Sequence, residues 1–255
     1  MNVSWMLLII LFVLMVIFGG KRGLRSFFTL LMNFVILFIM FIFIDIRFDP
    51  IKVTVIGCII ITYISLIYIN GFNIKTISSL ISVTVVVLLT MLITYKIGND
   101  ARIQGFGPEQ SETLTGLSIY VQLNFGKIVI CQVLIGLLGA IIDVSISISS
   151  SMFEIYKSDL SETKRSIFKS GMNIGKDILG TMTNTLLFAY IGGFMTLIIY
   201  FSELNYSVGD VLNAKVFCSE VFQILCGGIG IILIIPVTAF ITSTILSSKI
   251  VWKQD

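Results

Sequence analysis

The residues of this sequence that could do chemistry begin with an aspartate inside a long apolar stretch. Asp143 follows Gly-Leu-Leu-Gly-Ala-Ile-Ile and precedes a run of serines. Ser147 and Ser150 lie four and seven residues further on, so the three side chains share one face of a helix. An ionisable group at membrane depth normally faces a bundle interior, a partner or a water-filled path. The pattern therefore predicts that Asp143 and Ser147 belong to a pathway for a substrate or ion.

A second polar pattern follows in the next apolar stretch. Its members recur at intervals of four, four and three residues: Asn173, Asp177, Thr181 and Asn184. This spacing places them along one side of a helix, where they predict a polar stripe that enters the membrane. We interpret them, together with Asp143 and Ser147, as the lining of the substrate or ion pathway.

Both aspartates also admit a structural interpretation. By the apolar pattern, Asp143 lies about one turn before the end of its span, and Asp177 begins the next span. An aspartate at a helix start accepts hydrogen bonds from unpaired N–H groups and interacts favourably with the helix dipole. The two carboxylates are therefore either members of a path or caps at a membrane interface.

Small residues accompany both patterns. They are Gly136, Gly139, Gly171, Gly175 and Gly180. Small side chains let helix backbones approach closely inside a bilayer. These five glycines are therefore predicted helix-packing positions.

Long apolar helices must position all of these residues. The 255 residues are 56% hydrophobic and 12% charged, with a mean hydropathy of +1.04, whereas soluble chains carry about a quarter charged residues. The apolar residues form blocks of about 20 residues, the length that a helix needs to cross the hydrocarbon core. The fold class is therefore an all-α, polytopic transmembrane helix bundle of about seven spans. The predicted spans are Val3–Gly20, Phe27–Ile44, Ile51–Asn70, Thr76–Ile97, Lys127–Ser147, Asp177–Phe201 and Val216–Leu246.

Basic residues predict how the spans are oriented. If the N-terminus is outside, most of the 17 Lys and Arg residues fall in loops on one side, and loops rich in these residues are cytoplasmic. This pattern predicts an N-out/C-in, multi-pass protein of the bacterial cell (inner) membrane.

The spans divide the chain into three parts. Residues 1–97 are predicted to form a four-span membrane half, and 98–126 an extracytoplasmic connection. Residues 127–255 form a three-span half with a basic cytoplasmic loop at 148–176. Within this loop, Ser158 to Lys169 is either an amphipathic helix on anionic lipid or on a partner, or a solvated connector.

Several classes of function are disfavoured. The chain has no histidine, which excludes histidine-based catalytic triads, zinc sites and proton relays. Cys58, Cys131, Cys218 and Cys226 have no CxxC spacing, so we interpret them as buried free thiols. An intramembrane aspartyl protease is disfavoured because Ile-Ile-Asp and Gly-Lys-Asp do not resemble the motifs of that class. We expect no metal, no cofactor, no nucleic-acid partner and no enzymatic activity.

The segment 135–189 resembles the YibE/F family of bacterial multi-pass membrane proteins. The matching pieces are Gly-Leu-Leu-Gly-Ala-Ile-Ile-Asp-Val-Ser-Ile-Ser-Ile from Gly136, and Phe-Lys-Ser-Gly-Met-Asn-Ile-Gly-Lys-Asp-Ile-Leu-Gly-Thr-Met-Thr-Asn-Thr-Leu from Phe168. Weaker similarity occurs at 105–123 and after Val216. The resemblance implies a permease or a membrane-complex subunit. Because its predicted first loop is short, the chain resembles the short, YibF-like form, which implies a second, YibE-like subunit.

Two hypotheses of function follow. The first is a permease or transport-complex subunit that moves an unidentified small solute or ion between the fifth and sixth spans. The second is a non-catalytic scaffold or interaction subunit of a heteromeric complex. It predicts that bulky substitutions at Gly171 or Gly175 release a partner. In both hypotheses the partners are the lipid bilayer and either a second related membrane subunit or further copies of this chain.

Overall fold

Helices account for nearly all of the described chain. The computed structural model describes residues 3–101, 103, 124–159 and 163–248. Its α-helices in these ranges are α1 (Val3–Asp45), α2 (Pro50–Tyr63), α3 (Ile74–Asp100), α4 (Phe125–Ser158), α5 (Lys164–Glu203), α6 (Val208–Asn213) and α7 (Lys215–Ser247). A π-helical segment, Ile64–Tyr68, continues α2, and no strand occurs in the same ranges. The predicted all-α class is confirmed, and six helices in the described ranges are long and apolar enough to cross a membrane.

The first helix, α1, is broken at Gly20. As one straight helix its 43 residues would extend about 65 Å, roughly twice the hydrocarbon core of a bilayer. Gly20 instead has φ 52° and ψ −133°, a conformation that glycine alone adopts readily. The chain folds back, so the ring centroids of Phe12 and Phe27 lie 4.8 Å apart, and Gly23 packs against the carbonyl oxygen of Met15. α1 is therefore a hairpin of two antiparallel segments, close to the boundary predicted between the first two spans.

Caps and turns fix the next two helices. Asp49 caps α2 by accepting a backbone hydrogen bond of 3.1 Å, and Pro50 occupies the first turn of α2, where its missing N–H is tolerated. Beyond the π-helical segment, Gly71 has φ 77° and turns the chain, and Asn73 caps α3. Pro50 and the Asn-Gly pair at 70–71 therefore mark the start of α2 and the turn that separates it from α3.

The fourth and fifth helices are longer than the apolar pattern predicts. α4 continues to Ser158 and α5 begins at Lys164, so the basic loop predicted at 148–176 is mostly helical. The physical reason is packing between the two helices. Met152 is fully buried and its sulfur contacts Gly171, so both helices continue past the apolar stretches that reveal them in the sequence.

The segment Ser158 to Lys169, for which the sequence left open an amphipathic helix or a solvated connector, contains no separate helix in its described residues. α4 and α5 enter this segment from opposite sides, and Thr163 caps α5 by accepting a hydrogen bond of 3.3 Å from the N–H of Ser166. Residues 160–162 lie outside the described residues, as does most of the extracytoplasmic connection predicted at 98–126.

The core lies where α3, α4 and α7 pack against one another. Its centre is apolar, and Val86 of α3, Leu137 of α4 and Ile234 of α7 are fully buried. α5 packs against the outside of this core, where Gly175 lets Ile235 approach its backbone. α5 is also the least enclosed of the long helices, since 6% of its apolar window is buried, against 61% for α4.

Hydroxyl groups also join the core helices. The Oγ atoms of Ser79 and Ser149 lie 2.6 Å apart, and the hydroxyl oxygens of Ser145 and Thr238 lie 3.1 Å apart. All four side chains are buried. Each such contact between membrane helices contributes about 0.6–2 kcal/mol, so together they fix the relative register of α3, α4 and α7.

Two ion pairs mark opposite ends of the bundle. Lys127 Nζ lies 2.7 Å from Asp49 Oδ2, and Lys75 Nζ lies 2.6 Å from Glu154 Oε1. Lys127 and Glu154 lie near opposite ends of α4. The starts of α2 and α4 therefore share one end of the bundle, and the start of α3 lies at the other end. This alternation in direction is the arrangement expected of consecutive membrane spans.

Removing the carboxylate of Asp49 is expected to destabilise the bundle modestly. The hydrogen bond from Lys127 holds the pKa of Asp49 below its usual value. Its stabilising contribution is therefore present above about pH 4 and is lost as the pH falls through the lowered pKa. Asp49→Ala should cost about 1 kcal/mol, the usual effect of losing an N-cap. Asp49→Asn should cost less, because asparagine also caps helices and partly exposed ion pairs contribute little.

The measurement is the thermal midpoint in mild detergent. The midpoint of Asp49→Ala should lie below that of the wild type at pH 7, and the difference should shrink below about pH 4. A difference that is absent at pH 7, or that grows on acidification, would contradict the assigned role.

Candidate functional site

Asp143 lies far from the ends of α4. The helix continues about four turns beyond it, to Ser158, so Asp143 caps no helix and the capping interpretation is wrong for this residue. Asp143 and Ser147 are exposed, whereas Ser145 and Ser149 are buried in the core. The serine run is therefore divided between two faces of one helix, and the aspartate lies on the outer face.

A polar surface, here called the α4 stripe, runs along this outer face. It consists of Gly136, Gly139, Asp143, Ser147 and Ser150. At one end of the stripe, Gly136 lies against the hydroxyl of Tyr190 and the amide of Gln223. At the other end, Ser150 lines a cavity together with Arg22 and Arg25. The stripe thus connects polar groups near both ends of the bundle.

The second stripe, here called the α5 stripe, faces away from the core. Its members are Asn173, Asp177, Thr181 and Asn184, and all four are exposed. Gly171 and Gly175 are buried and contact α4 and α7. Asn173 and Asp177 each follow one of these glycines by two residues, which is a rotation of about 200° around a helix. The α5 stripe therefore lies on the side of α5 opposite to its packing face.

Asp177 does not begin a helix. α5 starts at Lys164 and is capped by Thr163, so Asp177 lies more than three turns inside the helix. The capping interpretation of Asp177 is wrong, because the apolar pattern that suggested it begins well after the true start of α5. The carboxylate is instead an exposed group on a helix long enough to cross a membrane.

The two stripes run at the same depth along the bundle. Gly171 contacts Met152, and Gly136 contacts Tyr190, so α4 and α5 are antiparallel. Counting along the helices from these two contacts places Asp143 level with residues 180–183 of α5. Asp143 also lies seven residues from Ser150, or about 10 Å along the helix axis. Both stripes therefore extend well inside the end of the bundle that holds Arg22 and Arg25.

Within this chain the six predicted pathway residues do not enclose a common path. No hydrogen bond or ion pair between described residues joins the α4 stripe to the α5 stripe. In the described ranges, the hydroxyl of Thr181 donates a hydrogen bond of 2.9 Å to the carbonyl of Ile178 in its own helix. The side chains of the other five, Asp143, Ser147, Asn173, Asp177 and Asn184, form no hydrogen bond or ion pair with described residues. Both stripes are outer surfaces of the described helices, so a closed path would need atoms beyond those of the described residues.

The five predicted packing glycines separate into two groups. A Cβ on Gly136, Gly171 or Gly175 would contact Tyr190, Met152 or Ile235 closely, so these three are sites of helix packing inside the chain. A Cβ on Gly139 or Gly180 would meet nothing within 4 Å. The packing prediction does not hold for these two among the described residues, because no neighbouring helix approaches them.

Sequence reasoning overlooked the hydroxyl-rich face of α3. Buried polar residues line this helix: Thr76, Ser78, Ser79, Ser82, Thr90 and Thr94. Most are three or four residues apart or a multiple of that, which was the signal that could have revealed them. Ser79 contacts Ser149 of α4, and Thr90 lies against Gly230 of α7. This face of α3 therefore brings polar groups into the middle of the bundle.

The remaining candidate chemistry is sparse. Cys58, Cys131 and Cys226 are buried free thiols as predicted, but Cys218 is exposed. Among the residues that the structure describes, no three histidine, cysteine, aspartate or glutamate side chains lie close enough together to hold a metal ion. The α4 and α5 stripes are therefore the strongest candidate functional surfaces.

The comparison with known families supports the resemblance that the sequence motifs around these stripes indicated. The sequence profile of the family described as YibE/F-like protein matches residues 7–248, nearly the whole chain. The chain belongs to this family. The YibE/F match includes the α1 hairpin, α2 and α3, and so extends well beyond the segments that carried the resemblance in the sequence. No curated protein and no solved structure matches the chain. Family membership and six apolar, membrane-length helices together identify a membrane protein.

Proposed function

We propose that this YibE/F-like protein is a subunit of a transport complex in the bacterial inner membrane that moves a small solute or ion. A second membrane chain would cover the α4 and α5 stripes and complete the path. The observation that carries this proposal is the exposure of two aspartates, with their polar neighbours, on the outer surfaces of membrane-length helices.

Free energy argues against leaving these surfaces in lipid. A charged aspartate at the centre of a membrane helix costs about 2.5–3.5 kcal/mol on insertion scales, and such residues face a partner or an aqueous cavity. Asp177 shares its stripe with Asn173 and Asn184, whose amides also need partners where water is absent. A protein or water-filled surface beside α5 satisfies all three groups, whereas lipid tails satisfy none.

The second chain is a related membrane subunit or another copy of this one. The α4 stripe supplies an ionisable group, Asp143, between polar groups at both ends of the bundle, which suits a path along the membrane normal. The α5 stripe runs at the same depth on an outer face. A chain placed against α5 and beside α4 would therefore face both sets of polar groups at one level.

A scaffold or interaction subunit is the second candidate function. The same exposed stripes favour it, since asparagine and threonine side chains hydrogen-bond across membrane helices. The glycine test that the sequence suggested does not apply, however. Gly171 and Gly175 pack against Met152 and Ile235 of the same chain, so bulky substitutions there would damage this chain rather than release a partner.

The test begins with gentle extraction of the tagged protein and native mass spectrometry of what co-purifies. We expect a stoichiometric second membrane subunit, either related or identical. The double substitution Asn173→Leu/Asn184→Leu should remove it, because leucine cannot form the amide hydrogen bonds of the α5 stripe. Thr196→Leu is the matched control, since Thr196 is an exposed polar residue of α5 outside the stripe, and it should leave the complex intact.

Two results would contradict the proposal. One is a wild-type protein that is monomeric in every mild detergent; the other is a complex that survives the double substitution unchanged. Reconstitution then separates the two candidate functions. A purified complex that conducts no ion or solute across vesicle membranes would favour the scaffold.

A further inference from the structure

A basic cavity opens at the end of the bundle where the α4 stripe terminates. Its volume is about 320 Å³, within the range of small-ligand pockets. The lining residues are Arg22, Arg25, Ile69, Asn70, Gly71, Asn73, Lys75, Thr76, Ile146 and Ser150. They come from the α1 hairpin, the turn before α3, the start of α3 and one face of α4. Four separate parts of the fold thus converge on one polar space.

The charges in this cavity are unbalanced. Lys75 is paired with Glu154 at 2.6 Å, so its charge is largely neutralised. Arg22 and Arg25 lie three residues apart on one helical segment, which makes them neighbours on its surface. In the described ranges no carboxylate pairs with either arginine. The two guanidinium groups therefore repel each other in the absence of an anion.

Hydrogen-bond donors surround the same space. Arginine presents a planar fork of N–H groups that matches the oxygens of a phosphate in pairs. Asn70 and Ser150 are further polar residues of the lining. The cavity lies beside the break at Gly20 that ends the first apolar segment of α1. Basic pockets between membrane helices at an interface bind phosphorylated lipid headgroups.

We propose that this cavity binds a phosphate group, held by Arg22 and Arg25 and supplied by the headgroup of an anionic phospholipid or by free phosphate. The proposal is independent of the transport function. It rests on the cavity, on two arginines that no carboxylate of the described residues pairs with, and on the convergence of four elements, and not on the exposed stripes. A bound phosphate would link the α1 hairpin to the α2–α3 turn and to α4.

The test uses the purified full-length protein, titrated with phosphatidylglycerol and with phosphatidylcholine of the same acyl chains, and read by native mass spectrometry. We expect Arg22→Gln/Arg25→Gln to weaken binding of phosphatidylglycerol roughly tenfold or more, since glutamine cannot form the charge-assisted hydrogen bonds that a guanidinium forms with a phosphate. Lys157→Gln/Arg165→Gln is the matched control. It removes two exposed charges near the same end of the bundle, outside the cavity, and should leave the affinity near that of the wild type.

Inorganic phosphate in excess distinguishes the two sources. Displacement of the lipid by phosphate, or binding of phosphate to the wild type alone, would show that the site accepts the free anion. Retention of phosphatidylglycerol with no phosphate binding would assign the site to a headgroup. Equal affinity in wild type and Arg22→Gln/Arg25→Gln, or an equal loss in the control pair, would overturn the proposal. If the double variant does not fold, the single variants Arg22→Gln and Arg25→Gln serve the same comparison.

Discussion

Asp143→Asn is expected to abolish flux through the reconstituted complex, with a loss of more than tenfold, while membrane insertion and assembly remain intact. Asparagine has nearly the same shape as aspartate but cannot ionise. Asp143 is the titratable member of the α4 stripe and lies about 10 Å inside the level of Ser150. Its side chain forms no hydrogen bond or ion pair with described residues, so the substitution leaves none of them without a partner. A loss of flux would therefore report on the path and not on folding.

The measurement uses the purified complex in vesicles that contain a pH-sensitive dye, with proton movement as the first probe and a panel of cations as the second. Asp45→Asn is the matched control, because Asp45 is an exposed carboxylate at the end of α1, outside both stripes. Flux at the wild-type rate in Asp143→Asn would remove this residue from the mechanism. An equal loss in Asp45→Asn would show that the effect is not specific to the stripe.

Gly23→Val is expected to destabilise the protein strongly, by about 3 kcal/mol or more. Any side chain on Gly23 would collide with the carbonyl oxygen of Met15. This neighbour is backbone, so no rotamer change can relieve the collision, and the two segments of α1 would have to separate. Overpacking of a well-ordered contact typically costs about 1–3 kcal/mol, and exceeds that range where the structure cannot adjust.

Gly19→Val supplies the matched control for this second prediction. Gly19 lies in the same hairpin, but a Cβ there would meet nothing within 4 Å. The thermal midpoint of Gly23→Val in detergent should fall well below that of Gly19→Val, and its yield from membranes should be lower. Equal midpoints for the two variants would mean that the close contact between the segments of α1 contributes little to stability.

The all-α membrane class was predictable from the sequence because a helix that crosses the hydrocarbon core of a bilayer must be apolar over about 20 residues. The boundaries between the first four predicted spans also lie close to the observed turns, since Gly20, Pro50 and Gly71 act through local backbone geometry that depends on few neighbours. The ends of α4 and α5, in contrast, were not predictable from the sequence. Met152 packs against Gly171 beyond the apolar stretches of the two helices. A hydropathy profile cannot show such a contact, because it averages over neighbours in sequence and not in space.

The residues of the candidate site could be predicted from the sequence, but the direction in which their side chains face could not. Spacing placed Asp177 and Asn173 on one side of a helix, and the structure agrees. It could not show which side faces the core, because the packing face of α5 is defined by Gly171 and Gly175, whose significance depends on the helices that approach them. The hydroxyls of α3 were overlooked for a related reason. A serine such as Ser79 is equally compatible with bonding to its own helix until a second hydroxyl is found opposite.

The reversal at Gly20 also decides at which end of the bundle the chain enters its first helix. With the hairpin, Val3 and Asp45 lie towards the same end, opposite the end that holds Arg22 and Arg25. A straight α1 would instead carry Val3 about 26 Å away from Gly20 in the opposite direction. The position of residues 3–19 relative to the basic cavity thus depends on a pair of torsion angles at one residue. A substitution that straightened Gly20 would therefore carry this whole segment past the cavity without altering any residue of α2 to α7.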